Sequence, residues 1–286
     1  MKRPERITLF THQYPEETSD SVQRVIEMTR AAGVEVLVPP PEAEKHSLGA
    51  DSEGVRAGAE TSEPTDLALV LGGDGTILTA LRTYAGRGVP VFALNFGAIG
   101  FLATVERRAF DDGLRDALAG NFELLELPGI AIEVDGEDRW AVNDVSIHRR
   151  PTHRVAELGY SIRDDTLGQV RCDGLVASTP VGSTGYNLAN GGPILAWGVE
   201  GYVVSFIAPH TLTARTLVVA PNDTLTVENL SRREDVEVTT DGRPTCALAP
   251  GEQTTVRFQH DRFLLAQMPG TSFYHRFREK FGRLAY

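Results

Sequence analysis

Hydrophobic positions in this chain change their period near residue 122. Before that point, short apolar runs alternate with stretches of helical spacing. Ile7-Thr8-Leu9-Phe10 reads as a strand. Residues 19–32 place Val22, Val25, Ile26 and Thr29 on one helical face, with Ser19 or Asp20 as the expected cap and Gly33 just past the end. Val34 to Val38 is a second strand that stops at Pro39-Pro40-Pro41, and residues 42–65, acidic and rich in Gly, Ser and Ala, read as a surface loop with one short helical turn. Leu67-Ala68-Leu69-Val70-Leu71 is wholly apolar and therefore predicts a strand buried on both faces. A helical pattern opens at Thr76, placed to cap it; Val89 to Leu94 is the next strand and Glu106 to Ala119 the next helix. Repeated strand–helix units imply a parallel sheet with ligands at its carboxyl edge.

From about Phe122 the runs shorten and alternate. Ile130 to Val134, the turn Asp135-Gly136 and Arg139 to Val142 form an expected hairpin. Tyr202–Ile207, Leu217–Val219, Thr224–Val227 and Val236–Thr239 continue the strand-rich character, and Asp241-Gly242 is a further hairpin signal. Residues 272–284 return to helical spacing through Phe273, Phe277, Phe281 and Leu284. The reading is an α/β fold: a Rossmann-like parallel-sheet domain at 1–122, a β-rich, sandwich-like domain at 123–260, and a C-terminal segment, 261–286, that packs back on the first domain. No internal repeat or low-complexity tract interrupts it.

Composition narrows the function classes. The chain has 286 residues, a net charge of −11, and 25 Arg against only Lys2, Lys45 and Lys280. Such an acidic balance argues against bulk nucleic-acid binding. A Lys-poor acidic surface suits high salt, and a GC-rich genome would equally produce the arginines. No run approaches the roughly 18 apolar residues of a membrane span, and the N-terminus lacks a signal-like region, so a cytoplasmic protein is expected. Cys172 and Cys246 are too few for a disulfide framework or zinc site, and the His residues form no close pair, so no protein-held metal is expected.

Candidate chemistry starts at Leu71-Gly72-Gly73-Asp74-Gly75-Thr76, where an apolar strand runs into a helix. Glycines let backbone N–H groups crowd toward an anion, and a helix N-terminus favours the same charge. A carboxylate among such groups repels a bare phosphate; its sensible partner is a hydroxyl that loses a proton as it attacks phosphorus. The plainer reading of Asp74 is a turn brace. Asn95-Phe96-Gly97-Ala98-Ile99-Gly100-Phe101-Leu102 makes a second loop at the same sheet edge, with Phe101 either a stacking face or a core residue.

Asn143-Asp144 ends a strand, and alternation lets both contact one ligand only at a bulge or bend. The longest polar signature is Asp173-Gly174 through Ser178-Thr179-Pro180-Val181-Gly182-Ser183-Thr184-Gly185-Tyr186-Asn187, then Gly191-Gly192-Pro193, rich in neutral donors for phosphate or ribose. No Gly-x-Ser-x-Gly elbow is present. His210 reads as a hydrogen-bonded structural residue, Arg149-Arg150 and Arg232-Arg233 as solvated faces, and Arg171 as able to reach an anion.

Taken in order, Gly-Gly-Asp-Gly-Thr at 72–76, Asn-x-Gly-x-x-Gly-Phe-Leu at 95–102, Asn143-Asp144, the 173–184 segment and Pro209-His210-Thr211-Leu212-Thr213-Ala214-Arg215 resemble the NAD kinase family over nearly the whole chain. The resemblance implies phosphorylation of the 2′-hydroxyl of NAD's adenosine ribose by ATP or polyphosphate, with Mg²⁺ or another divalent cation bound alongside the donor. Asp74 would be the catalytic residue. Gly72, Gly73, Thr76, Asn95 and Gly97 would shape the phosphate loop. Gly75, Phe101, Asn143, Asp144, Arg171, Asp173, Thr184, Gly185 and Tyr186 would contact NAD, with Arg171 and Asp173 reaching it across a subunit interface, so a homodimer or homotetramer is implied. The chain departs from the family pattern at Gly185, commonly Ala, at Ala189, often small and polar, and at Ala98, often basic or polar. The Gly-Gly-Asp-Gly core alone is shared with lipid and sugar kinases. A non-catalytic NAD(P) sensor is the other alternative.

Overall fold

The computed structural model describes residues 1–49, 54–97, 100–151 and 154–282. Two compact units result, residues 1–126 with the chain from Phe263 onward, and Leu127–Arg262.

The first unit is built on parallel strands. β1 (Arg6–Thr11), α1 (Ser19–Ala32), β2 (Glu35–Val38), α2 (Pro40–Lys45), β3 (Val55–Ala57), β4 (Leu67–Gly72), α3 (Asp74–Thr83), β5 (Val91–Asn95), β6 (Val105–Glu106) and α4 (Phe110–Ala119) follow in chain order. The sheet runs β3-β2-β1-β4-β5, with β6 beside β5. The expected two-faced burial of 67–71 holds: every residue of β4 is buried. Thr11 lies opposite Leu71, and Gly72 opposite Asn95, so β1, β4 and β5 end at one carboxyl edge.

Several boundaries differ from the sequence reading: the helix expected from Glu106 starts at Phe110, after β6 and a 3₁₀ turn at Arg107–Ala109, and three others have a plain local reason. A 3₁₀ turn at Pro15–Glu17 makes Thr18 the cap of α1, and Ser19 spends its hydroxyl on Pro15 O at 2.7 Å. Gly33, at φ 67°, closes that helix as expected. Pro40, pre-set for a first helical turn, starts α2 ahead of the expected loop, and Val55–Ala57 adds a strand to the sheet edge inside it. Thr76 does not cap α3; the helix starts at Asp74 with extended Gly73 as its cap and no side-chain bond.

The second unit holds two antiparallel sheets around one core. β7 (Glu123–Val134) and β8 (Glu137–Ala141) form the expected hairpin across Asp135-Gly136, both at positive φ as a type I′ turn requires. β9 (Asp144–Arg149), β10 (Ala156–Ile162), β11 (Asp165–Cys172), β12 (Gly174–Ser178), the short α5 (Tyr186–Ala189), β13 (Tyr202–Ile207), β14 (Leu217–Val219), β15 (Leu225–Asn229), β16 (Val236–Thr240), β17 (Arg243–Leu248) and β18 (Gln253–Gln267) follow. One sheet is ordered β14-β13-β12-β9-β16-β17, and β11-β10-β15-β18 form the other. Ile147, Leu175, Val204 and Val238 of the first meet Leu158, Val170, Val227 and Val256 of the second in a single apolar cluster. Asp241-Gly242 joins β16 to β17 as read, again with both residues left-handed.

The C-terminal helix α6 (Phe273–Phe281) belongs to the first unit. Ser272 caps it, accepting from His275 N–H.

Candidate active site

Two glycine-lined turns meet at the carboxyl edge of the first unit. A Cβ on Gly97 would lie 2.9 Å from Gly73 Cα, so the β4–α3 and β5–β6 loops touch backbone to backbone. Phe96 N–H donates to Gly72 O at 3.2 Å across the same contact. Asn95 braces its own turn: Oδ1 accepts from Gly97 N–H at 3.1 Å and Nδ2 donates to Glu106. Thr76 packs under Gly72, where a Cβ would come within 2.5 Å of Thr76 Oγ1.

Asp74 is half-buried, and both of its carboxylate oxygens are held. Phe101 N–H donates to Oδ2 at 2.9 Å and Leu102 N–H to Oδ1 at 3.3 Å. Gly100 is indispensable to this seat, because a Cβ there would fall 1.8 Å from Asp74 Oδ1. Gly75 beside it is exposed. Ala98, the departure in the second loop, lies outside the described residues.

Of the two readings of Phe101, the core one describes its ring here. It is buried against Phe273 and Phe281 of α6. Arg276 Nη1 donates to Phe101 O at 2.8 Å, and Lys280 Nζ sits 4.3 Å from the Phe101 ring centroid. Arg276 and Lys280 also feel the charge of Asp74. Burial pushes the Lys280 ammonium below the ordinary lysine range, and Asp74 draws it back. A cavity of about 170 Å³, lined by Gly100, Glu106, His275, Arg276 and Lys280 among others, lies beside the loop. Sequence reasoning missed these two cations. The available signal was that Lys280 is one of three lysines and sits in an aromatic helix.

The second unit gathers the remaining candidates near the ends of β9 and β12. Asn143 O accepts from Thr179 N–H at 2.9 Å and from Ser178 Oγ, while Thr179 Oγ1 donates to Val142 O at 2.6 Å. Gly182 packs on this turn so closely that a Cβ would lie 2.1 Å from Asn143 O. Asn143 Oδ1 is buried and makes no hydrogen bond among the described residues. Asp144 is 6% exposed, and burial followed by the charge of Asp241 pushes its carboxyl up to about 7.

The hydroxyl-rich signature turns out to be mostly internal. Ser178, Thr179, Ser183 and Asn187 are fully buried. Ser183 bridges Pro180 O and Leu195 N–H, and Asn187 Nδ2 donates to Ser183 O and Pro193 O. Their donors therefore fold the loop and are not offered to a ligand. What the loop presents outward is Thr184, Gly185 and Tyr186, the last 41% exposed. A Cβ on Gly185 would stand 3.3 Å from Gly182 O, so this chain's glycine relieves a tight spot.

Asp173 has a partner that sequence reasoning assigned to solvent. Arg149 grips it bidentately, Nε to Oδ1 at 2.6 Å and Nη2 to Oδ2 at 3.2 Å, and this holds the Asp173 carboxyl below its usual range. The reason is register: β9 and β12 are paired, and Arg149 N–H donates to Asp173 O. Arg171 is exposed on β11 opposite Glu157. His210 is also exposed rather than structural; its backbone N–H donates to Arg171 O at 2.7 Å. Arg232 and Arg233 are exposed, as a solvated face should be.

Comparison with known proteins places these motifs. Residues 7–122 match a family model described as the ATP-NAD kinase N-terminal domain, and residues 142–268 match the ATP-NAD kinase C-terminal domain. An NAD kinase of Gemmatimonas aurantiaca is 35% identical over 80% of this chain and 81% of its own length, and one of Geotalea daltonii is 29% identical over 96% and 97%. In fold, the chain is similar to a yeast NADH kinase complexed with NADH, with a TM-score of 0.85 at 21% identity, covering all of this chain and 88% of that one. It is also similar to an Archaeoglobus fulgidus NAD kinase in complex with ATP, at 0.72 and 23%, covering 98% of each. On these matches over both halves, with the Asp74 loop and the Asn143–Asp144 turn in place, the chain belongs to the NAD kinase family of phosphotransferases.

Proposed function

We propose that this kinase transfers the terminal phosphoryl group of ATP or polyphosphate to the 2′-hydroxyl of NAD's adenosine ribose, giving NADP. The observation that carries the reading is the Asp74 carboxylate, half-buried, aimed by two backbone amides and seated on glycine backbone at a phosphate-loop edge. In-line transfer needs the attacking oxygen held and relieved of its proton. Asp74 accepts that proton. The N–H groups of the 72–76 turn and the N-terminus of α3 favour the donor's phosphates.

Among the described residues no group of three or more His, Cys, Asp or Glu side chains could hold a metal. In this reading Mg²⁺ arrives with the donor's phosphates, since this ion is usually held by one or two carboxylates plus substrate oxygens. Asp74, at the edge of the phosphate loop, would be the carboxylate to hold it. When bound, the ion neutralises charge on the transferring group.

Recognition of NAD falls to the second unit in this reading. Asn143 Oδ1, buried and unsatisfied within the described residues, suits the adenine amino group. Asp144, able to hold a proton near neutral pH, can donate to a ribose hydroxyl. Thr184, Gly185 and Tyr186 offer an open turn for the adenosine, and Asp173, oriented by Arg149, and exposed Arg171 contact the dinucleotide of a second copy. Exposed Leu212, Leu217 and Val218, the last two on edge strand β14, support such a homo-oligomer. A cytoplasmic location is part of the proposal; no helix among the described residues is long and apolar enough to cross a membrane.

The test is direct. Purified protein given NAD, Mg²⁺ and either ATP or polyphosphate should form NADP. Phosphorylation of diacylglycerol or a hexose with NAD left untouched would overturn the assignment, as would NAD binding without turnover.

A further inference from the structure

Asp241 entered the sequence reading only as half of a hairpin turn. In the structure its carboxylate gathers three successive backbone amides from residues about a hundred positions earlier. Asn143 N–H donates to Oδ1 at 2.7 Å, Asp144 N–H to the same oxygen at 3.2 Å, and Val142 N–H to Oδ2 at 3.1 Å. The contact is reciprocal, because Asp241 N–H donates to Asp144 O at 2.8 Å. The β9–β16 ladder ends one pair earlier, at Val145 opposite Thr240. Where the ladder would run out, a side chain takes over the amides.

That substitution bends the chain. A flat strand would send Asn143 and Asp144 to opposite faces. A carboxylate collecting three consecutive amides makes a nest, which turns the backbone instead. Asp241 reaches it from φ 48°, the left-handed region that Asp and Asn tolerate better than other side chains. Gly182, Ser178 and Thr179 close the opposite side of the same turn through Asn143 O and Val142 O. We infer that Asp241 is a positioning residue for NAD, holding the Asn143–Asp144 turn so that both side chains serve one ligand. This rests on the assignment of that turn to NAD recognition above.

A residue that merely stabilised the sheet would act on folding alone. Asp241 acts also on its neighbour, since the burial of Asp144 and, after it, the charge of Asp241 favour the protonated Asp144 carboxyl. Among the described residues the Tyr186 phenol also faces Asp144, itself raised by burial, then by Asp144 and Asp173. Removing the Asp241 charge should therefore change when Asp144 ionises as well as how NAD is held.

The experiment compares wild type, Asp241→Asn and Asp241→Ser by circular dichroism and by NADP formation across pH. Asn keeps the left-handed backbone and one acceptor oxygen but lacks the charge. KM for NAD should rise about tenfold in Asp241→Asn, with kcat within about threefold of wild type. The break near pH 7 that Asp144 imposes on NAD binding should move to lower pH. Folded variants with wild-type KM and an unmoved break would overturn the inference, as would a lowered melting temperature with no change in either. A wild-type protein that makes no NADP would instead refute the functional reading. Should neither variant fold, carboxyl NMR of the wild type decides: Asp144 must titrate well above the ordinary value of about 4, and an ordinary titration overturns the coupling.

Discussion

Asp74 in the first unit and Asp144 in the second are both acidic side chains in turns that glycine makes possible, and their surroundings differ. Asp74 is half-open, with an amide on each oxygen and the cations Arg276 and Lys280 near it. Asp144 is buried, with the like charge of Asp241 beside it. One setting leaves a carboxylate open at the edge of the phosphate loop, the other buries a carboxyl that carries a proton and can donate it to a ligand. Chemical type alone does not assign a role to an acidic residue; the desolvation and charge around it do.

The sharpest way to break this comparison is to fill the glycine on each side. Gly100→Ala puts a methyl where Asp74 Oδ1 now lies, so kcat should fall by on the order of a hundredfold as the base is displaced. Gly182→Ala drives a methyl into Asn143 O, so KM for NAD should rise about tenfold with a smaller change in kcat. Each overpacked site should also lose about 1–3 kcal/mol of stability by chemical denaturation. If both variants lost kcat and KM in the same proportion, the division of roles would be wrong.

A smaller effect separates the two carboxylates by pH. In the unfolded chain Asp144 ionises near its ordinary 3.8, but in the folded protein it keeps its proton to about 7. Between these values the unfolded state binds fewer protons, so Asp144 lowers stability as pH rises, by up to about 1.4 kcal/mol per unit. Asp144→Asn removes this term. Its melting temperature should therefore gain on wild type from pH 4 to 7 and level off above; a constant difference would refute the burial argument. The least effect is expected from Arg149→Ala. Its ion pair with Asp173 is about a third exposed, so stability should change by less than about 1 kcal/mol, while KM for NAD rises several-fold. Unchanged NAD kinetics would make that pair a surface contact only.

The sequence reading succeeded where information is local. Leu67–Leu71 announces a two-faced strand because nothing polar interrupts it, and Asp135-Gly136 and Asp241-Gly242 announce hairpins because only such residues accept two left-handed positions. It missed β10 and β11, where Gly159 and Gly168 dilute the alternation, and β18, whose exposed His260-Asp261 interrupts the pattern. Within the site, the motif residues were legible but their duties were not. Ser178, Thr179 and Ser183 looked like ligand donors, yet their partners are backbone carbonyls and amides of the fold. Asp241, Arg149 and Lys280 act across 24 to 206 positions of sequence, and no local spacing encodes such contacts.

The central claim, that Asp74 performs the chemistry while other residues hold NAD, is tested most directly by measuring two quantities on one variant. Asp74→Asn should bind NAD in a calorimetric titration with Kd within about twofold of wild type while forming NADP about 10² to 10⁴ times more slowly. NADP formation near the wild-type rate, or a loss of NAD binding as large as the loss of rate, would contradict it.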